Sequence, residues 1–252
     1  MAAATGRADS VHMRGTPPNL FAALRLTTSQ AEAISITLDP TDSAVGKAFQ
    51  LNPPEIQVST VSDTGISRVH LRLSRTTPPG TYLGTMETDE QTQRLVIEVE
   101  PRKRISILPK RASISGKAGA MAELHLTLIN LGNIPLNVPK VGGFGLFQKQ
   151  GMDQAVGRTF QEKPVRGERS VDRFMEALRD GYGGVAKLKL REGAGALEPG
   201  DSRDARLVFQ IPAQLIPNNS YWGLWSIHDY NYKIEIEVLP DEAKKPKKEK
   251  VK

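Results

Sequence analysis

The residues best suited to ligand contact gather near the C-terminal end. In SYWGLWSIHDYNYKIEIEVLP, Ser220 to Pro240, both tryptophans and three of the five tyrosines fall between Tyr221 and Tyr232. Exposed flat rings stack on sugars or clamp peptide side chains, whereas buried ones only fill a core. In extended backbone Tyr221, Gly223 and Trp225 share one face and Trp222 and Leu224 the other, so each face receives one tryptophan. Trp225, Ile227 and Tyr232 are expected in the core and Trp222 at the rim. Trp222 and Tyr230, if exposed together, would form a sugar or peptide contact.

Catalytic chemistry finds less support. His228 beside Asp229 has the composition of a catalytic or metal pair, but sequence neighbours on an extended chain point apart. His12, His70 and His125 have no metal-site spacing. The chain has no cysteine, which removes disulfides, thiolate metal sites and a cysteine nucleophile. It has no G-x-S-x-G elbow, phosphate loop or dinucleotide fingerprint. The glycine clusters Gly142–Gly145 and Gly181–Gly184 lack the strand-to-helix setting of a phosphate cradle, and are read as flexible ends of an insertion. Asn218-Asn219-Ser220 matches a glycosylation sequon, relevant only in a eukaryotic secretory route. No catalytic residue, metal or cofactor is expected, and the chain is read as a non-enzyme.

The elements that must carry the aromatic stretch are strands. AELHLTLIN sets Leu124, Leu126 and Leu128 against Glu123, His125 and Thr127; ARLVFQI and YKIEIEV repeat the alternation. Earlier runs at LFAALRL, AISITL, AFQL, EIQVST, SRVHLRL, TYLGTME and RLVIEVE are separated by turn signals such as Asn52-Pro53-Pro54 and Pro78-Pro79-Gly80. Short strands each followed by turn chemistry, with no helix between them, describe an antiparallel sandwich rather than a parallel α/β sheet.

The 252 residues give room for two such domains, and 38% apolar with 25% charged residues argues against global disorder. No run of eighteen apolar residues offers a membrane span. A junction is read at EVEPRKRISILPKR, where a strand meets Pro101, the basic cluster Arg102, Lys103 and Arg104, and Pro109. The organisation expected is a flexible N-terminus over 1–19, one sandwich over 20–101, a second over 102–240 with an insertion at 142–184, and a disordered lysine-rich tail over 241–252. Within the insertion SVDRFMEALRD reads as one short helix, with Ser170 as N-cap, Val171, Phe174, Met175 and Leu178 at helical spacing, and Gly181 at C′.

TTPPGTYLGTMETDEQTQRLVIEVEP resembles the end of a bacterial immunoglobulin-like domain, where a proline-glycine turn leads through G-T-Y into the last two strands. LHLTLINLGNIPLNV, LEPGDSRDARLVFQIPA and NNSYWGLW are similar to envelope modules of the CARDB and NEW3 type. The resemblance implies an all-β chain of two tandem immunoglobulin-like antiparallel β-sandwiches, the second with a short helix in an inserted loop. It implies a structural or protein-interaction role in a periplasmic or cell-surface setting. The N-terminal MAAATGRADSVHMRG has no apolar signal region, which points instead to the cytoplasm unless a leader has been lost.

The net charge is +6, and the tail DEAKKPKKEKVK, six lysines against three acids, holds +3 of it. Strands interrupt the basic cluster and no aromatics interleave with it, which disfavours nucleic acid. The first reading is therefore a protein-interaction module that docks a partner protein through loops or edge strands. Its contact residues are Trp222, Tyr230, Phe144 and Phe147, with Arg102, Lys103 and Arg104 as an electrostatic patch. The second reading is a carbohydrate-binding or adhesive module using Trp222 and Tyr230. The third is an assembly factor holding acidic surfaces or nucleic acid through the tail. Oligomeric state is not encoded in any pattern here.

Overall fold

The computed structural model describes residues 10–24, 34–38, 55–61, 66–88, 91–161 and 169–240. Among these the chain is all-β apart from two helices, and it forms two compact units. The first comprises Met1–Arg104 with Asn130–Leu136 and Leu197–Asp201; the second comprises the remainder.

In the first unit β1 (Ser10–Gly15), β2 (Asn19–Leu24), β3 (Ser35–Leu38), β4 (Glu55–Val61), β5 (Ile66–Arg72), β6 (Gly80–Thr88) and β7 (Gln91–Val99) form a ladder in the order β3-β6-β7-β1-β2-β5-β4. Strand β1 is the joint, antiparallel to β2 and parallel to β7, with Ser10 opposite Arg94 and Gly15 opposite Val99. Lettered A to G in chain order, the ladder reads C-F-G beside A-B-E-D, the arrangement of an immunoglobulin-type sandwich. Near the start of F the Tyr82 phenol donates to the Pro78 carbonyl, four residues upstream, at 2.8 Å. This is the tyrosine corner of that fold.

The flexible N-terminus expected over 1–19 needs correction, because Ser10–Gly15 is strand β1. Val11 and Met13 enter the core beside Leu20, Val69, Leu95 and Ile97. Burying such side chains contributes about 1.5–3 kcal/mol each, enough to order a six-residue strand that also gains a ladder. His12, expected on a loose terminus, is an outward strand residue bonded to Ser10 Oγ at 3.0 Å. The strand expected at AFQL lies outside the described residues.

Two asparagines organise the excursions that fold with the first unit. Asn130 donates to the carbonyls of Ile134 and Leu197 and accepts from the Gly132 amide, each at 2.9 Å. Asn133 donates to the carbonyls of Thr77 and Glu100 at 3.0 Å and accepts from the Arg102 amide at 2.6 Å. Both are buried, so every one of these bonds replaces lost water. Gly132 cannot carry a side chain, since a Cβ there would strike the Arg102 carbonyl. Gly200 supplies the left-handed φ of +83° that closes the Glu198-Pro199-Gly200 turn.

In the second unit β8 (Ile105–Leu108), β9 (Arg111–Lys117), β10 (Met121–Asn130), β12 (Val141–Gln148), β13 (Tyr182–Glu192), β15 (Ser202–Gln210), β16 (Ser220–Ile227) and β17 (Tyr230–Leu239) run in the order β8-β10-β15-β13-β12-β16-β17-β9. β11 (Leu136–Val138) and β14 (Gly195–Leu197) form a separate two-stranded ladder. The same lettering gives A-B-E-D and C-F-G-A′, where strand A divides at the cis bond between Leu108 and Pro109. The A′ segment β9 runs parallel to β17. Leu126, Leu128, Leu207, Trp225, Ile227 and Tyr232 are buried. Phe144 of C meets Phe209 of E edge-on at 5.4 Å.

The insertion between C and D is shorter than the 142–184 expected and holds two helices, α1 (Gly151–Gln161) and α2 (Ser170–Asp180). Gly142–Gly145 is not a flexible end but the body of β12, and Gly183–Gly184 is a bulge in β13. Their glycines answer to packing: a Cβ on Gly142 would press on Leu188 and the Trp225 indole nitrogen at 3.1 Å, and one on Gly183 would meet Leu215 at 2.6 Å. Ser170 is the first helical residue rather than the N-cap, a position held by Arg169 without a side-chain bond. Gly181 keeps a right-handed φ of −77° and donates back to Ala177. Of the four apolar residues at helical spacing Val171 and Met175 are exposed, and Ala177 is the buried contact.

Candidate functional site: an aromatic sheet face of the second unit

The alternation that buries Phe144 and Leu146 on β12 turns Phe147 outward, and β16 likewise buries Tyr221 and Trp225 while turning Trp222 and Leu224 outward. Cross-strand register then sets Phe147 opposite both Trp222 and Tyr182. Phe147 lies 5.9 Å from Trp222 and 5.4 Å from Tyr182 between ring centroids, at interplanar angles of 39° and 53°. Phe147, Tyr182, Val185 and Leu224 are exposed and Trp222 is half-buried, so three rings and two aliphatic side chains form a largely uncovered apolar face on the sheet.

The bulge explains why Tyr182 belongs to this face. Gly184 takes φ of +89°, and the extra residue in β13 lets Leu146 pair with Gly184 while Phe147 pairs with Tyr182. Beside the rings, Gly143 and Gly145 of β12 leave a shallow depression; a Cβ on Gly145 would rest on the Tyr182 and Phe147 rings at 3.5 and 3.6 Å.

Cations surround this face. Lys233 places its Nζ 5.9 Å from the centroid of the Trp222 ring and 2.6 Å from Glu235 Oε1. The Lys233 hydrogen bond holds the Glu235 carboxyl below its usual range against the opposing effect of burial, and the charges of Lys233, Lys149 and Arg111 act in the same direction. Lys187 and Lys189 alternate outward along β13 beyond Val185.

The residues expected to make contact are distributed differently. Phe147 and Trp222 meet, but Tyr230 pairs with Ile227 and shares the strand face of buried Tyr232, opposite Trp222. Trp222 and Tyr230 therefore make no joint surface. Phe144, expected as a contact, is core. Arg102 is taken up in the first unit, where its guanidinium donates to the Pro17 carbonyl at 2.7 Å, and the Arg104 carbonyl accepts from Leu131. Lys103 and Arg104 are exposed. Tyr182, Val185 and Lys233 were missed, because their joining depends on pairings and a bulge that no local pattern announces.

A second feature of the unit is a cavity of about 450 Å³ along the outer side of β10 and β15, lined by Leu108, Pro109, His125, Arg206 and neighbours. Arg206 holds Glu123 through two bonds of 2.7 and 2.9 Å, and His125 sits 3.0 Å from the same carboxylate. The Arg206 hydrogen bond draws the Glu123 carboxyl below its ordinary value, against burial. Arg206 and Glu123 thus satisfy each other's charge. His228 occupies the β16–β17 turn at φ of +53°, exposed. Among the described residues no group of three His, Cys, Asp or Glu could hold a metal, and no helix is long and apolar enough to cross a membrane.

Fold and site thus define two immunoglobulin-like β-sandwiches, the second carrying a helical insertion and an aromatic sheet face. No protein-family model matches the chain, and no curated protein does. Among solved structures it is similar to a three-domain immunoglobulin fragment of titin, at 8% identity and a TM-score of 0.34, covering 92% of this chain and 62% of that one. It therefore spans less than two thirds of that titin fragment. It is also similar to a chain in the crystal structure of Dpr11 IG1 bound to DIP-gamma IG+IG2, at 10% identity, TM-score 0.31 and coverage of 92% and 96%. A third similarity is to an ASH/PapD-like domain of human CEP192, at 14% identity, TM-score 0.26 and coverage of 57% and 94%.

Proposed function

We propose that this chain is a non-enzymatic protein-interaction module, and that it docks a partner protein on the outer face shared by β13, β12, β16 and β17 of its second unit. The observation that carries this reading is the cluster of Phe147, Tyr182 and Trp222, in which Phe147 touches both other rings, Phe147 and Tyr182 are exposed and Trp222 is half-buried. Aromatic residues on a preorganised sheet supply large contact area at low entropic cost. Loops and edge strands, the docking elements expected from sequence, are secondary here to the sheet face.

The carbohydrate reading is less well supported. Its aromatic pair is separated by the sheet, and Trp222 is flanked by Phe147 from β12 and Lys233 from β17. A sugar ring would have to displace one of them. The test compares capture of proteins from the native host by the intact chain and by Phe147→Ser and Trp222→Ser variants. The reading requires the same partner to be lost from both variants while their folding persists. A partner retained equally by all three would remove this face from the interaction.

A further inference from the structure

Resting on that docking face, we infer that its partner presents an acidic segment interspersed with aliphatic or aromatic side chains. The face has an apolar centre and a basic surround. Lys187, Lys189, Lys233 and Arg111 project beside or beyond Phe147, Tyr182, Trp222 and Leu224, and Lys149 follows β12 close enough for its charge to act on Glu235, against Glu235 and Glu237 on the same side. Five cations against two carboxylates leave a net of +3. Glu235 is already engaged by Lys233 at 2.6 Å, and Glu237 accepts from Ser115 at 3.1 Å, so the acids are internally satisfied. Desolvating that surround without anionic partners would be costly, whereas acidic side chains landing on it gain both affinity and orientation.

The same observations disfavour other occupants. A second copy of this chain would bring five more cations to the five already present. Single-stranded nucleic acid satisfies cations but needs ring faces on which successive bases stack. Here the rings tilt against one another by 39° and 53°, and Lys233 sits over Trp222. Val185 and Leu224 extend the centre with aliphatic surface, which suits peptide side chains.

The test is selection of a random twelve-residue peptide library on the intact chain, on Lys187→Glu/Lys189→Glu, and on Trp222→Ser, with oligo(dT) as a separate probe. The intact chain is expected to enrich peptides of clear net negative charge with at least two large apolar residues. Their affinity should fall about tenfold on the charge-reversed variant and weaken steeply with salt. The pool selected on that variant should lose its acidity. Enrichment of neutral apolar peptides that still require Trp222 would overturn the acidic inference and leave the docking face intact. Peptides indifferent to Trp222, no enrichment, or Trp222-dependent binding of oligo(dT) alone would overturn both. The two lysines are exposed strand residues, so their replacement leaves the core untouched.

Discussion

Phe147 and Trp222 stand opposite each other on β12 and β16 with ring centroids 5.9 Å apart, and both project away from the core that their strand neighbours Leu146 and Trp225 fill. Their mutual contact contributes only about 0.5–1.5 kcal/mol to folding. A double-mutant cycle of Phe147→Ala and Trp222→Ala should return a coupling of that size in denaturant unfolding, while partner affinity falls more than about tenfold for each single variant. Stability losses of the size seen for core aromatics would show that the pair is structural.

Asn133 is expected to matter far more for folding. Replacing it with Ala strands two carbonyls and the Arg102 amide in a buried setting, and should cost the first unit roughly 2–4 kcal/mol. Asn133→Asp keeps the acceptor for Arg102 but loses both donations, and should fare no better. Thermal melts of the three chains decide the matter, and unchanged midpoints would count against the network.

Tyr232 makes the opposite case. Its hydroxyl is buried without a hydrogen-bond partner among the described residues, and burial pushes the phenol up to about 12, with the Tyr230 charge adding. Tyr232→Phe should therefore leave stability at neutral pH unchanged or raise it by about 1 kcal/mol. Between its ordinary value near 10 and its folded value the unfolded chain loses this proton and the folded chain keeps it. The stability this provides is complete below pH 10 and is lost as pH rises towards 12. The Phe variant should show a shallower decline across that window in melts at pH 8 and pH 11.5.

Leu126, inward on β10 opposite Ala205, tests the assigned core face. Leu126→Asp buries a carboxylate with no partner and should unfold the second unit, a loss of more than about 4 kcal/mol. A native circular dichroism spectrum and melt for this variant would mean that the strand faces elsewhere.

How far the fold was legible depended on the length of each alternating run. Leu124-Leu126-Leu128 and Ile234-Ile236-Val238 declare a buried face over many residues, and both were legible. The two apolar residues of β1, Val11 and Met13, were too few to stand against the small residues before them. Glycine misled in β12, where it marks close approach of Leu188 and Trp225 rather than flexibility. Helix α1 escaped notice because GMDQAVGRTFQ carries two glycines and a weak apolar stripe, and it is ordered by packing on α2 and the Arg158–Asp180 pair at 3.1 Å. At the site, Trp222 was legible as a rim residue from alternation alone. Its partners were not, because Phe147 and Tyr182 reach it only through strand register and a bulge.

The most direct test of the docking face is site-specific photo-crosslinking in the native host. A chain carrying Phe147→benzoylphenylalanine is compared with one carrying Met121→benzoylphenylalanine, at an exposed position on β10, which β15 and β13 separate from β12. A defined protein crosslink is expected from position 147, weakened by added Lys187→Glu/Lys189→Glu, and none from position 121. Crosslinks of equal yield from both positions, or from position 121 alone, would contradict it.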